Sequence, residues 1–395
     1  MSSDGYNEEQ HYSFGEGICR IVSPDDPEFP EGAWWDILNM IYDGEADNPE
    51  SMPGVTRLGT TDMGGAVSGL FDYNNGDKLI ATATNGTIYE YGTDWAAAGG
   101  ARATGNSSAA GTRWSGTMFY GATTAKNLLI LCNGIDAPIR YDTTNGCVTL
   151  GGSPSSTGNF PVAHRGRCWM ASSSTVFYSA TNDAEDWSSG GGGGNVLCER
   201  GFDGNLTGLA SYMGSLLMFK RSSSYRFPPT ATISELNLQP ISKTVGAVTH
   251  QGIQEVSSGS RSYLSVFSER GIEGLYPTGS SGGFDFYNLS RWIQPVLNRR
   301  NTAQMARAFT FWNQDRKELY VFYPTGSNAN PTEGVIGNFG RERKPPRWTR
   351  TDFQNITAGT IFNDSNTNYY QYVGDTSGRV YRMNVLTSDQ RIGAA

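Results

Sequence analysis

Along this chain short apolar runs alternate with clusters of glycine, serine, threonine and asparagine. Those breakers interrupt almost every window long enough for three helical turns, so the pattern predicts strands and turns rather than helices. One unit recurs: an apolar strand, a turn of small or polar residues, and a second strand with an aromatic near its end. It is read at KLIATATNGTIYEYGTDW (78–95), LLILCNGIDAPIRYD (128–142), RCWMASSSTVFYSA (167–180), SLLMFKRSSSYRF (215–227), YLSVFSERGIEGLY (263–276), ELYVFYPTGSNANP (318–331) and YQYVGDTSGRVYRM (370–383). The sixth lacks a clear second strand after its turn.

With turn centres at Gly86, Gly134, Ser173, Ser222, Gly271, Asp315 and Gly378, the units are separated by 48, 39, 49, 49, 44 and 63 residues. Propeller blades repeat at about 40–50 residues with four strands each. A sandwich or barrel would show turn signals every 8–12 residues or so and no longer period. The fold class expected is therefore all-β, a β-propeller of about six to seven blades, each hairpin forming the inner half of its blade. A blade cannot bury both faces alone, so the ring must close on itself. The hairpin at 370–383 is expected to close it by pairing with strands near 66–73, GAVSGLFD. Two regions break the rhythm: residues 1–60, an acidic N-terminal arm, and a basic, turn-rich insertion around 324–369 within a propeller spanning 61–395.

Composition agrees with a folded β protein. Hydrophobic residues make up 37% and glycine counts 50, but 20 Tyr, 18 Phe and 9 Trp supply enough apolar area to offset chain entropy. The net charge of −8 hides an asymmetry. Residues 1–50 hold thirteen acids against one base, Arg20, or −12, which leaves +4 for the remaining 345 residues. Such an arm either docks on something basic or stays solvated. Five cysteines without a C-x-x-C pair, and three histidines, argue against a zinc site and for buried thiols in a reducing compartment. The start MSSDGYNEEQ has no signal-peptide pattern and no apolar run approaches the roughly 18 residues of a membrane span. A cytoplasmically made, soluble chain without membrane insertion is expected. The six N-x-[ST] triplets read as turn and strand chemistry.

Candidate chemistry is sparse. RGRCWMASSSTVFYSATNDAEDW (165–187) sets three carboxylates and a tryptophan behind a strand. Glycoside hydrolysis needs two carboxylates held about 5–9 Å apart on a rigid floor, whereas Asp183, Glu185 and Asp186 precede the flexible run GGGGG (190–194). The expectation is a loop shaped by Asp and Asn hydrogen bonds. SATNDAEDW resembles a degenerate Asp-box turn of sialidase-like propellers, with Glu185 where a small residue belongs and the Asp183-to-Trp187 spacing one short; in that family the turn stabilises the fold. No G-x-S-x-G elbow and no phosphate loop occurs, so neither an enzyme nor a cofactor is expected. Arg341, Arg343, Lys344, Arg347 and Arg350, interleaved with Trp348, and the pair Arg299 and Arg300 form the basic candidates. They could meet phosphates in a DNA channel. An inter-subunit contact with an acidic partner, such as the leader of a neighbouring copy, is preferred, because the chain as a whole is acidic.

The ordered set of segments resembles the β-propeller proteins that form the tail hub or nozzle of short-tailed bacteriophages, including the packaged-DNA stabilisation type. The match runs through WWDILNMIYDGEADNPESMPGVTRL, LLILCNGIDAPIRYD, GRCWMASSSTVFYSATNDAEDW, GLASYMGSLLMFKRSSSYRF and SVFSERGIEGLYP, from residue 34 to about 290. The resemblance implies a structural virion protein assembled in the host cytoplasm. It would be a homo-hexamer ringing the channel below the portal and adaptor, retaining packaged double-stranded DNA and docking fibre or plug proteins. The alternative is a carbohydrate-binding or glycan-cleaving propeller of the lectin or sialidase kind. An intracellular scaffold of the WD-repeat type ranks last, for want of its G-H and W-D signatures.

Overall fold

The computed structural model describes residues 16–385 except 43–48, 53, 110, 122–126, 153–154, 199–203, 230–232, 234–235, 259–260, 279–282, 342–344 and 364–368. Among these residues seven four-stranded antiparallel sheets follow one another along the chain. Their first strands are Val67–Tyr73, Ser115–Tyr120, Asn159–His164, Gly208–Tyr212, Ile253–Ser258, Phe309–Asn313 and Ile356–Asn363. Each first strand touches the first strand of the next sheet, and the seventh touches the first. The sheets are thus the blades of a closed β-propeller, numbered 1 to 7 from Val67, with the first strands around the axis. The helices described are no longer than six residues, and none is long and apolar enough to cross a membrane.

The uninterrupted apolar runs have a simple cause. A blade packed on both sides sends successive side chains into two different cores. In blade 2, Leu129 and Leu131 enter the cluster shared with blade 1, while Leu128, Ile130 and Cys132 enter the cluster shared with blade 3. Blade 4 repeats the division, with Leu216 and Met218 facing blade 3 and Leu217 and Phe219 facing blade 5. Seven such clusters are found among the described residues, one at each junction between blades. All five cysteines are buried.

Four expectations change. The recurring hairpin is the middle pair of strands in its blade, since a separate first strand precedes it on the axis side. Asp315 marks the turn between the first and second strands of blade 6, Phe309–Asn313 and Glu318–Tyr323, which explains the uneven gaps of 44 and 63 residues. The missing second strand of that unit is Glu333–Asn338, immediately beyond the segment read. Residues 324–369 are therefore no insertion: they supply Glu333–Asn338 and Arg347–Thr351 of blade 6 and the first strand of blade 7. Glycine breaks the apolar pattern there for a packing reason, because a Cβ on Gly337 would lie 2.8 Å from the Trp348 ring. Finally, the ring is closed by Gly54–Leu58, not by 66–73. It pairs antiparallel with Val380–Val385 as the fourth strand of blade 7, in register Val380 to Leu58 and Tyr381 to Arg57. Residues 66–73 carry the first strand of blade 1 instead. Trp95 of blade 1 donates from Nε1 to the Leu58 carbonyl at 2.9 Å, and the Asp94 carboxylate accepts from the N–H and hydroxyl groups of Thr60 and Thr61. Those donors hold the Asp94 carboxyl well below the usual carboxylate range.

Candidate functional site

Two regions concentrate polar chemistry: a seam where the acidic arm lies on blade 6, and the axial tunnel.

The seam gathers the basic residues picked out in the sequence. Arm residues Ile37 to Asn39 run beside the outer strand of blade 6, the Arg350 N–H donating to the Ile37 carbonyl and the Asn39 N–H to the Arg350 carbonyl, both at 2.8 Å. Beneath them Ile18, Ile37 and Tyr42 join the core between blades 5 and 6, whose floor is Trp348. The Trp348 indole N–H reaches the Leu289 carbonyl of blade 5 at 2.9 Å. Arg347 is 1% exposed; its guanidinium donates to Asn338 Oδ1 at 2.8 Å and covers the Tyr42 ring at 4.3 Å. Burial pushes the Tyr42 phenol up to about 12.

Charges then alternate across the seam. Arg20 meets Asp36 at 3.0 Å, Arg350 meets the same Asp36 oxygen at 2.5 Å, and Arg350 Nε reaches buried Glu333 at 2.9 Å. Arg299 also pairs with Glu333. One carboxylate thus joins two basic groups that lie far apart in sequence. Arg341 binds Glu16 through both oxygens, at 2.6 and 3.1 Å. Arg300 donates to the Leu297 carbonyl at 2.8 Å and to the Glu269 carbonyl. Arg343 and Lys344 lie outside the described residues. Of the arginines the sequence offered to a neighbouring acidic leader, Arg341, Arg347 and Arg350 are engaged by the leader of the same chain, while Arg299 and Arg300 are met by groups of blades 5 and 6.

The acidic loop after blade 3's third strand is held by its own carboxylates. Asp183 accepts from the Glu185 N–H at 2.8 Å, and Asp186 from the Ser188 N–H at 2.9 Å and hydroxyl at 2.7 Å, which lowers the Asp186 carboxyl. Glu185 takes Arg140 Nε of blade 2 at 2.7 Å. Trp187 is buried with its N–H on the Ala184 carbonyl, so its ring offers no open face to a sugar.

The tunnel was not legible beforehand. Along the axis the first strands of blades 1, 2, 5, 6 and 7 line a cavity of about 140 Å³, with Phe71, Gly116, Phe309 and Gly359 in its wall. At one mouth the segments leading into blades 2 to 6 converge around a cavity of about 380 Å³. Arg113 spans it, donating to the Thr357 carbonyl of blade 7 and to Gln251 Oε1 at 2.6 Å, while Gln251 donates back to the Trp114 carbonyl at 2.6 Å. His250 Nδ1 accepts from the Leu209 N–H at 3.4 Å, and burial pushes this imidazole down to about 4. Among the described residues no group of three or more His, Cys, Asp or Glu side chains converges as a metal site would require.

No family model and no curated protein sequence matches the chain. Solved structures match in shape. The extracellular domain of BT4673 from B. thetaiotaomicron superposes with a TM-score of 0.53 at 9% identity over 86% of this chain. Raptor of Chaetomium thermophilum gives 0.52 at 11% over 86%. The Cps50 (Swd1) β-propeller domain of Myceliophteria thermophila gives 0.50 at 11%, covering 85% of this chain and 100% of that domain. The chain spans 40% of the BT4673 domain and 29% of Raptor. At these identities the likeness is one of fold, the β-propeller.

Proposed function

We propose that the protein is a structural, non-catalytic component of a multi-copy ring, of the tail hub or nozzle type of short-tailed bacteriophages. The observation that carries this reading is the docked arm. It is bound from below by Ile18, Ile37 and Tyr42 and at its sides by ion pairs, yet it displays Ile21, Trp35 and Leu38 outward, each more than 40% exposed. Large apolar side chains presented on a rigid strap are what a contact between sibling chains uses. In the virion six copies would stand below the portal and adaptor and meet fibre or plug proteins. The ordered sequence segments from residue 34 to about 290 point the same way.

The test is the mass of the purified protein by light scattering, with particles viewed by electron microscopy. A ring of defined copy number is expected, and Ile21→Glu with Leu38→Glu should return it to monomers without loss of thermal stability. A protein that stays monomeric at high micromolar concentration, alone and with portal-bearing particles, would overturn the reading.

A further inference from the structure

The wall of the cavity at the tunnel mouth carries one guanidinium, that of Arg113, and a second, that of Arg307, lies against the wall at Gly111. Arg113 has as partners a backbone carbonyl and an amide oxygen, and Arg307 has the amide oxygen of Asn330 at 2.8 Å. Neither guanidinium has a carboxylate partner among the described residues. The two are close enough that Arg307, after burial, disfavours the charge on Arg113. Arg307 Nη2 stands 2.9 Å from where a Cβ on Gly111 would be, in the cavity wall. Asp136, the acid behind this wall, spends Oδ2 on the Ser107 N–H and Asn133 Nδ2, both at 2.7 Å. Two like charges held near one another, one of them buried, repel each other without a counter-charge, and an anion bound in the cavity would offset that cost.

The rest of the wall says what kind of anion. Trp114, Ile135, Phe160, Leu206 and Val248 make most of it apolar. Phe160 is held at φ +56°, in the left-handed region that a bulky residue rarely adopts, and its ring lies tilted over His250 with centroids 5.2 Å apart. Such strain is maintained where the surroundings over-determine a side chain, as in ligand sites. Because His250 Nδ1 accepts a backbone N–H and the ring is neutral, its proton sits on Nε2, a donor. A volume of about 380 Å³ is in the range of small-molecule sites.

We propose that this mouth binds a small organic carboxylate, its charge met by Arg113 with Arg307 adding to the positive field from behind Gly111, and its apolar body lying against Phe160 and Ile135. Gln251 acts as the positioning residue, fixing Arg113 across the tunnel. The site does not depend on the ring-forming role.

Thermal unfolding and calorimetry with benzoate, neutral benzamide and inorganic phosphate test the proposal on the intact chain. Benzoate should raise the melting temperature, by about 2–4 °C at saturating concentration, and the other two should not. Arg307→Gln, which loses one bond to Asn330 and keeps the Arg113 strut, should weaken benzoate at least tenfold with little change in the unliganded melting point. Arg113→Gln should abolish binding if that variant folds. The proposal is overturned by no shift at 20 mM benzoate, by equal shifts from benzamide or phosphate, or by unchanged affinity in the Arg307 variant; the 20 mM figure is on the order of a weak site's upper limit.

Discussion

Two groups of arginines sit in this molecule in opposite electrostatic circumstances. At the seam four arginines find carboxylates of the same chain, Arg20 and Arg350 on Asp36, Arg350 and Arg299 on Glu333, Arg341 on Glu16, and Arg347 lies over the Tyr42 ring of the arm. At the tunnel mouth Arg113 and, behind its wall, Arg307 meet neutral oxygens, and Arg113 also faces the Phe309 ring. The seam is the more conspicuous in sequence, yet its charge is already used. A basic patch is open to a ligand only to the extent that the fold leaves it uncompensated, and that depends on pairings between residues more than 300 positions apart.

The seam is a packed interface decorated with charge, and Trp348→Ala tests that most severely. The indole is 1% exposed and forms the common floor of blade 5, blade 6 and the arm. Removing it should cost about 3–5 kcal/mol, as for large buried aromatics elsewhere, measured by denaturant unfolding at constant m-value. A loss under about 1 kcal/mol would mean that the ion pairs, not the apolar floor, hold the arm.

A direct contrast between the regions comes next in size. Arg350→Met strands Glu333, which is 7% exposed, with Arg299 as its remaining partner; a cost of about 2–3 kcal/mol follows, since breaking a buried pair leaves a charge uncompensated. Arg113→Met strands no charge and loses two hydrogen bonds to neutral acceptors, for about 1 kcal/mol. Equal losses by chemical denaturation would erase the distinction drawn between seam and tunnel.

Legibility along the chain follows the same physics. Blades 2 to 4 could be read because their second strands alternate between two cores, as Leu128 to Cys132 do, and their turns need left-handed residues such as Gly134 and Ser173. Blade 6 was blurred because its outer half satisfies unusual neighbours: Gly337 beneath an indole, Arg347 buried under the Tyr42 ring of the arm. Closure by Gly54–Leu58 was missed since a strand with Thr56 and Arg57 half-open to solvent has no apolar run to announce it. Among site residues, the basic positions were visible by charge. The tunnel mouth was not, because Arg113, Phe160 and His250 each precede or open the first strand of a different blade and become neighbours only when the ring closes.

The smallest effect should come from Glu16→Gln. Glu16 and Arg341 make a two-oxygen pair, with side chains 28% and 12% exposed, at the outer edge of the seam where water and salt reach it. The amide keeps one acceptor for the guanidinium, so what is lost is the net attraction of a screened pair, about 0.5 kcal/mol. In 1 M salt the difference between wild type and variant should vanish, because the Debye length there falls to about 3 Å. If the arm instead owed its place to charge, the loss would exceed about 1.5 kcal/mol and persist only at low salt. The arm's ordering would then follow ionic strength, while Trp348 would remain buried regardless, a combination that near-ultraviolet circular dichroism across a salt titration separates from whole-seam loosening.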